Sequence, residues 1–138
     1  MTPERLAALH ARSFSVTPRP WTAAEFADML GLPGHRLAFD DPAFALWRQV
    51  GPEAELLTLA VPPEMRRQGR GARLLRRLEE AAEAAGAESL LLEVAETNLP
   101  ARALYEKAGY RPAGWRKDYY RAPCGPRIAA LVLQKALR

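Results

Sequence analysis

The strongest hydrophobic pattern in the chain runs from Leu56 to Gly86. A largely apolar segment from Leu56 to Val61 predicts a buried strand, which Pro62 and Pro63 end. After a turn, apolar residues recur with the spacing of one helix face, at Ala72, Leu74, Leu75, Leu78, Ala81, Ala82 and Ala85. Gly86 is the residue type that commonly follows a helix C-terminus. The pattern therefore predicts a strand, a turn and a long helix.

The turn contains Gly69 and Gly71 and leads into the N-terminus of the predicted helix. Backbone N–H groups and the helix dipole favour an anion at such a place. The charges are the reverse of the order that stabilises a helix, with bases first and acids later: Arg66, Arg67, Arg70 and Arg73, then Glu79, Glu80 and Glu83. Each reversed charge costs up to ~1 kcal/mol at an exposed site, so folding alone gives no reason for it. A bound phosphate would give one, and a solvated basic face is the alternative interpretation.

Helix-start signals occur at three other places in the chain. Thr2 and Pro3 are suited to open a first helix. The segment Thr22–Glu25 is a capping box, and the flanking aromatic residues Trp21 and Phe26 have the spacing of a hydrophobic staple, which predicts a second helix to about residue 30. A further helix is expected between a capping Asn98 and a terminating Gly109.

Apolar runs between turn residues predict the strands, at about residues 35–39, 43–50, 89–94, 110–120 and 128–134. The Leu-rich run at 89–94 is expected to be buried on both faces of a sheet. Strands interleaved with helices predict an α/β sandwich built on a mixed sheet.

Composition narrows the class of protein. A length of 138 residues predicts one domain over residues 1–138, with enough chain for a hydrophobic core. No apolar run suggests a membrane span, and the N-terminus does not resemble a signal peptide. The chain has one cysteine, Cys124, and two histidines, which excludes an internal disulfide and a Cys/His metal site. We therefore expect a cytoplasmic protein without a metal. The net charge of +4 suits an acidic ligand without requiring one.

Several segments resemble one family. Arg66–Ala72, with the sequence RRQGRGA, resembles the pyrophosphate loop of the GNAT N-acetyltransferase superfamily, whose pattern is Gln/Arg-x-x-Gly-x-Gly/Ala. Further matches resemble its RimI-type branch, the ribosomal-protein-alanine N-acetyltransferases: Leu92-Glu93-Val94, Asn98, Ala103–Tyr110 and Asp118-Tyr119-Tyr120. The similarity extends over roughly residues 54–133. The loop alone would indicate only the superfamily, whereas the combination at these spacings is far more specific.

The resemblance implies a fold and a co-substrate. It implies a mixed, mostly antiparallel sheet flanked by helices, with two central strands that separate to admit the pantetheine arm of acetyl-coenzyme A. Backbone groups of Leu59, Ala60 and Val61 would bind that arm. Asn98 would lie beside it, and the backbone N–H groups of Arg67, Gln68, Gly69, Arg70, Gly71 and Ala72 would surround the pyrophosphate. Gly69 and Gly71 are expected because a Cβ would block the phosphate or the backbone angles of the turn.

The resemblance also implies two catalytic residues. Glu93 is the candidate general base, although a lone acid in an apolar strand could instead be exposed or ion-paired, and Glu96 is the nearby alternative. Tyr105 is the candidate general acid, because a phenol of pKa ~10 can protonate a thiolate of pKa ~8.5. Its spacing also fits a core aromatic residue. We interpret His10 and His35 as ordinary surface or cap residues, and Cys124 as lacking a base partner.

The residues alone do not decide which amine accepts the acetyl group. An α-amine of pKa near ~8 is about one-tenth neutral at pH 7, whereas a lysine of pKa ~10.4 is almost wholly charged, so a weak carboxylate base suits a peptide N-terminus. The resemblance implies that the acceptor is the α-amine of a protein N-terminus, on a small-subunit ribosomal protein. A small amine or a lysine side chain is the enzymatic alternative. A basic nucleic-acid-binding module is the non-enzymatic one, but it lacks interleaved aromatic residues for stacking.

Two departures from the family pattern affect these expectations. Only Met1 and Thr2 precede Pro3, so the first edge strand of the family is expected to be missing. Pro126-Arg127-Ile128 stands where related sequences often have acidic residues, which leaves the accepted N-terminus undetermined. We expect a monomer or a weak dimer, without membrane contact or direct nucleic-acid binding.

Overall fold

The computed structural model describes residues 2–13, 21–66, 68–121 and 127–137. Within them the helices are α1 (Pro3–Ser13), α2 (Ala23–Leu30), α3 (Arg70–Ala84) and α4 (Leu99–Lys107), with a 3₁₀ turn at Pro63–Met65. The strands are β1 (His35–Asp40), β2 (Ala43–Val50), β3 (Glu53–Ala60), β4 (Ser89–Ala95), β5 (Arg111–Arg121) and β6 (Arg127–Ala136). These bounds agree closely with the predicted elements.

The six strands form one sheet in the order β1-β2-β3-β4-β6-β5. The β3–β4 pair is parallel, and the other four pairs are antiparallel. The predicted mixed, mostly antiparallel sheet is confirmed. In the part of the chain that the structure describes, α1 is the first element and β1 forms one edge of the sheet.

Each face of the sheet is covered by a different pair of helices. On one face, α3 and α4 pack over β2, β3 and β4 through a core that includes Trp47, Leu56, Leu75, Leu92 and Tyr105. On the other face, α1 and α2 contribute Leu6, Leu9 and Phe26, which pack against Phe44, Leu46 and Ala60. Burial of these side chains on both faces holds the central strands rigidly.

The predicted helix caps are present. Thr22 and Glu25 form the reciprocal capping box, and the Trp21 and Phe26 rings of the predicted staple lie 5.3 Å apart. Asn98 caps α4 by accepting a hydrogen bond from the Ala101 N–H at 3.3 Å. None of the described helices has the length and apolar character needed to cross a membrane.

The prediction that residues 89–94 are buried on both faces was wrong. Leu90, Leu92 and Val94 are buried against α3 and α4, whereas Leu91 and Glu93 on the other face are only partly buried. The incomplete burial of Glu93 matters because it leaves its carboxylate accessible in the middle of the sheet.

Candidate active site

The two central strands β3 and β4 separate partway along their length. They pair in parallel only from Glu53 and Ser89 to Leu56 and Leu92. Beyond these residues β3 runs to Ala60 and β4 to Ala95 with no pairing between them, while each stays paired to its outer neighbour. The edge of β3 that faces β4 therefore presents backbone N–H and C=O groups without a ladder partner.

A β-bulge lies where this opening begins. In the pairing of β2 with β3, Trp47 is opposite Leu56 but Leu46 is opposite Thr58, so Leu57 is an extra residue. A bulge bends its strand and increases the local twist. The bend coincides with the last β3–β4 pair, at Leu56, and accounts for the divergence of the two strands.

The turn before α3 has the geometry of an anion site. Gly69 is the N-cap residue, with a φ of 72° in the left-handed region, and no described side chain caps the helix. The first helical bond is donated by the Arg73 N–H to the Gly69 oxygen at 3.0 Å, so the N–H groups of Arg70, Gly71 and Ala72 have no partner within the helix. A Cβ on Gly69 would meet no atom within 4 Å.

Gly71 has a different role from Gly69. A Cβ at Gly71 would lie 3.2 Å from Leu104 Cδ2 and 3.9 Å from Val61 Cγ2. The small residue thus lets α3 pack closely against α4 and the end of β3. The structure supplies a packing reason at this position, beside the predicted reason of phosphate approach.

Glu93 lies on β4 one residue beyond the last β3–β4 pair. Its side chain is on the face opposite Leu92 and Val94, with 21% of its surface exposed. Arg116 of β5 donates a hydrogen bond from Nη1 to Glu93 Oε1 at 2.8 Å. The ion pair considered as an alternative is therefore present, and it orients a carboxylate beside the opening between the strands.

Tyr105 lies on α4, on the other face of β4. It is buried in the core that α3 and α4 form, with 7% of its surface exposed. Its ring packs edge-on against Tyr110, with centroids 5.9 Å apart. Glu93 and Tyr105 thus lie on opposite faces of β4.

The chain has clear relatives among known proteins. Residues 17–110 match the acetyltransferase (GNAT) family. The chain belongs to this family. The prediction of an acetyl-coenzyme A-dependent N-acetyltransferase is confirmed, and the free N–H groups and separated strands described above suit a GNAT donor site.

Two relatives and two solved structures define where in the GNAT family the similarity lies. Over 120 residues the chain is 37% identical to the ribosomal protein bS18-alanine N-acetyltransferase of Salmonella typhimurium, covering 82% of this chain and 79% of that protein. The enzyme of the same name from Escherichia coli K12 is 40% identical over 90 residues, which cover 65% of this chain and 61% of that protein.

The crystal structure of the ribosomal-protein-S18-alanine N-acetyltransferase from Escherichia coli superposes with a TM-score of 0.84 at 29% identity, over 98% of this chain and 87% of that one. An aminoglycoside 6'-N-acetyltransferase complexed with coenzyme A gives a TM-score of 0.77 at 20% identity, over 99% and 91% of the two chains. At 20% identity, the similarity to the aminoglycoside enzyme shows only that the two chains share a fold.

The other predicted donor-site residues of this GNAT chain fall around the same opening. Leu59 and Ala60 end β3 and Val61 follows them, while Asn98 begins α4 beyond the end of β4. Gln68 precedes Gly69, and its exposed side chain accepts a hydrogen bond from Arg70 Nε at 3.3 Å. The predicted pyrophosphate contact at Arg67 lies outside the described residues.

The interpretation that folding gives no reason for the basic start of α3 was wrong in part. Arg66 donates to the Val61 carbonyl at 3.0 Å and Arg77 to the Phe39 carbonyl at 2.6 Å. Arg70 donates to the Asp41 carbonyl at 3.4 Å. Arg70 and Arg77 therefore link α3 to β1 and to the turn after it, whereas Arg66 precedes the helix and bonds locally. The number of arginines is thus not by itself evidence of a phosphate.

The interpretation of His10 as a surface or cap residue was also wrong, since its side chain is fully buried. Its Nδ1 accepts a hydrogen bond from the Trp21 N–H at 3.0 Å, so the proton is on Nε2, which donates to Thr58 Oγ1 at 2.9 Å. His35 begins β1 and is half-buried, with Nδ1 donating to the Pro33 carbonyl oxygen at 3.0 Å.

Of the two other side chains considered, the structure describes only Glu96. Glu96 is exposed and accepts a weak hydrogen bond from Trp115 Nε1 at 3.4 Å. Cys124 lies outside the described residues. Within the described part of the chain, no group of three or more His, Cys, Asp or Glu side chains could hold a metal ion.

Sequence reasoning missed Arg116, the partner of Glu93. No local signal could have identified it, because β6 lies between the strands that carry the two residues.

Proposed function

We propose that this GNAT enzyme transfers the acetyl group of acetyl-coenzyme A to the α-amine of a protein N-terminus, specifically an N-terminal alanine on a ribosomal protein. The observation that carries the proposal is the 37% identity, over 82% of this chain, to an enzyme named for that acceptor. A ribosomal-protein acceptor also accords with a cytoplasmic location, which we include in the proposal.

The donor would occupy the opening between β3 and β4. Its pyrophosphate would accept hydrogen bonds from the N–H groups of residues 67–72, and its pantetheine arm would pair with the free edge of Leu59, Ala60 and Val61. Asn98 would contact the arm where α4 begins. The thioester would then lie near the end of the paired region, between the faces that carry Glu93 and Tyr105.

Glu93 would act as the general base. It would take the proton that the amine loses as the amine nitrogen bonds to the thioester carbonyl carbon, either directly or through water. Arg116 orients the carboxylate, and an incoming ammonium group would share the same oxygen atoms. A carboxylate is a sufficient base for an α-amine, because about one-tenth of the amine is already neutral at pH 7.

Tyr105 would act as the general acid. When the carbon–sulfur bond breaks, the thiolate leaves with the bonding electron pair and accepts the phenolic proton. A phenol of ordinary pKa keeps its proton at pH 7 and can donate it to the departing thiolate, whose conjugate acid has a pKa of ~8.5. The burial of Tyr105 excludes water from that transfer.

Peptide acetylation followed by mass spectrometry tests the acceptor. The enzyme is incubated with acetyl-coenzyme A and a peptide that has an N-terminal alanine and an internal lysine. The matched control is the same peptide with its N-terminus already acetylated. We expect the label on the α-amine and no turnover of the blocked peptide. A label on lysine, or turnover only with a small polyamine, would contradict the proposal.

A further inference from the structure

A buried polar network lies beside Tyr105 and involves three elements of the fold. Tyr110 donates a hydrogen bond from Oη to Glu79 Oε2 at 2.8 Å, and Lys135 donates from Nζ to Glu79 Oε1 at 3.0 Å. Tyr110 is 3% exposed, and the Glu79 side chain is 13% exposed. Glu79 comes from α3, Tyr110 follows α4, and Lys135 lies on β6.

The network is in direct contact with the candidate acid. The Tyr110 ring packs edge-on against the Tyr105 ring, at an interplanar angle of 66° and a centroid separation of 5.9 Å. The Tyr110 N–H also donates to the Tyr105 carbonyl oxygen at 3.0 Å. The backbone and the ring of Tyr105 are thus both held by Tyr110.

The hydrogen bonds and charges of the network hold the Tyr110 side chain in one position. A mostly buried carboxylate is costly unless it is paired, and Glu79 is paired with both a phenol and an ammonium group. Burial and the adjacent Glu79 carboxylate raise the pKa of Tyr110 well above its usual range, so its O–H remains a donor at physiological pH. Lys135 Nζ lies 5.7 Å from the centre of the Tyr110 ring and adds a cation–π contact.

The position of Glu79 separates this network from the donor's phosphates. Glu79 lies nine residues after Arg70, which at the rise of an α-helix is about 14 Å from the start of α3. Changes at Glu79 or Tyr110 therefore leave the predicted pyrophosphate contacts in place, while they alter what Tyr105 packs against.

We propose that Glu79 is a positioning residue that, by anchoring the Tyr110 hydroxyl, fixes the ring of Tyr105 in the orientation required for proton donation. The inference rests on the proposed acid role of Tyr105. It assigns a catalytic purpose to a glutamate whose place late in α3 opposes the helix dipole.

A double-mutant cycle tests this coupling. The variants are Tyr110→Phe, Glu79→Gln, Tyr105→Phe, and each of the first two combined with Tyr105→Phe. The quantities measured are kcat, the KM for acetyl-coenzyme A and the thermal midpoint of each protein. Glu83→Gln on the exposed side of α3 is the matched control for a lost carboxylate.

We expect Tyr110→Phe and Glu79→Gln to lower kcat between about threefold and about tenfold, the range of coupling between contacting residues, with the KM for acetyl-coenzyme A unchanged. In the Tyr105→Phe background the same changes should have almost no further effect on kcat. The control Glu83→Gln should behave as the wild type.

Two results would overturn the proposal, and they are distinguishable. Equal losses of kcat in both backgrounds would show that the network acts on general structure and not through Tyr105, while the acid role itself stands. Wild-type kcat for Tyr105→Phe alone would remove the acid role and, with it, the basis of the positioning role.

Discussion

The two halves of the β3–β4 pair differ although they belong to the same two strands. In the closed half, residues 53–56 of β3 pair with residues 89–92 of β4 beneath the packed side chains of α3. In the open half, residues 57–60 and 93–95 do not pair with each other. The catalytic candidates and the free backbone edge are all near the open half, and the closed half holds it in place.

The difference shows how the fold makes room for a ligand without losing rigidity. A buried backbone group that lacks a hydrogen-bond partner costs ~1–3 kcal/mol, so the open edge of β3 favours any extended ligand that can pair with it. The outer pairings to β2 and β6 continue along the whole opening and prevent its collapse. The site is thus prepared before the donor binds.

The largest expected effect is that of Glu93→Gln, at the residue where the open half begins. We expect kcat to fall by about 10²-fold or more, as it does when a general base is lost. The amide keeps the size of the side chain and removes its basicity. The matched control is Glu96→Gln, three residues further along the chain, whose exposed carboxylate accepts a hydrogen bond from Trp115 Nε1. Its kcat should stay within about twofold of the wild type. The rate is measured by release of the free thiol of coenzyme A. Equal losses of kcat in Glu93→Gln and Glu96→Gln would contradict the assignment of Glu93 as the general base.

Next in size is the effect of Tyr105→Phe on the opposite face of β4. We expect kcat to fall by about 10- to 100-fold, within the range for a general acid, while calorimetric affinity for acetyl-coenzyme A stays nearly unchanged. Phenylalanine keeps the packing against Tyr110 and removes only the proton donor. Weakened affinity for the donor with unaltered kcat would identify Tyr105 as a binding residue instead.

Gly69 and Gly86 offer a matched pair at the two ends of α3. Both have positive φ angles, 72° and 97°, and open space where a Cβ would go. Each substitution to alanine should therefore cost about 1–2 kcal/mol of unfolding free energy. Only Gly69→Ala should also raise the KM for acetyl-coenzyme A, by about tenfold, because it disturbs charge-assisted hydrogen bonds to the phosphates. A similar KM in the two variants would argue against an anion site at the turn.

The smallest effect is expected at Gly71, which supports the packing beneath the open half. Gly71→Ala brings a methyl group to 3.2 Å from Leu104 Cδ2, and the gain in helix propensity from alanine offsets part of that strain. The net change in unfolding free energy should therefore stay within about 1 kcal/mol. Combining it with Leu104→Ala should cost less than the sum of the two single changes, because the second substitution removes the clash. Chemical denaturation measures all three variants, and strict additivity would rule out the packing role.

Local sequence signals were sufficient for the elements and for their ends. Helical spacing after Gly71, the Thr22–Glu25 capping box and the Asn98 cap each involve residues at most a few positions apart, and each is present. The glycine turn could be predicted for the same reason. The backbone at Gly69 is left-handed, a conformation that glycine adopts without strain.

Features that depend on pairing between distant residues could not be predicted from the residues alone. The bulge at Leu57 is defined by its partner strand, and the Glu93–Arg116 pair spans β6. His10 appears polar in the sequence but is buried through partners on β3 and before α2. The strand opening was anticipated only through the resemblance to the GNAT family, because no periodicity distinguishes paired from separated strands.

A crystal structure with acetyl-coenzyme A bound tests the central claim most directly. We expect a pyrophosphate within hydrogen-bond distance of the N–H groups of residues 67–72, an arm paired along the edge of residues 59–61, and a thioester between Glu93 and Tyr105. A donor bound away from this turn, or a thioester directed away from both side chains, would contradict it.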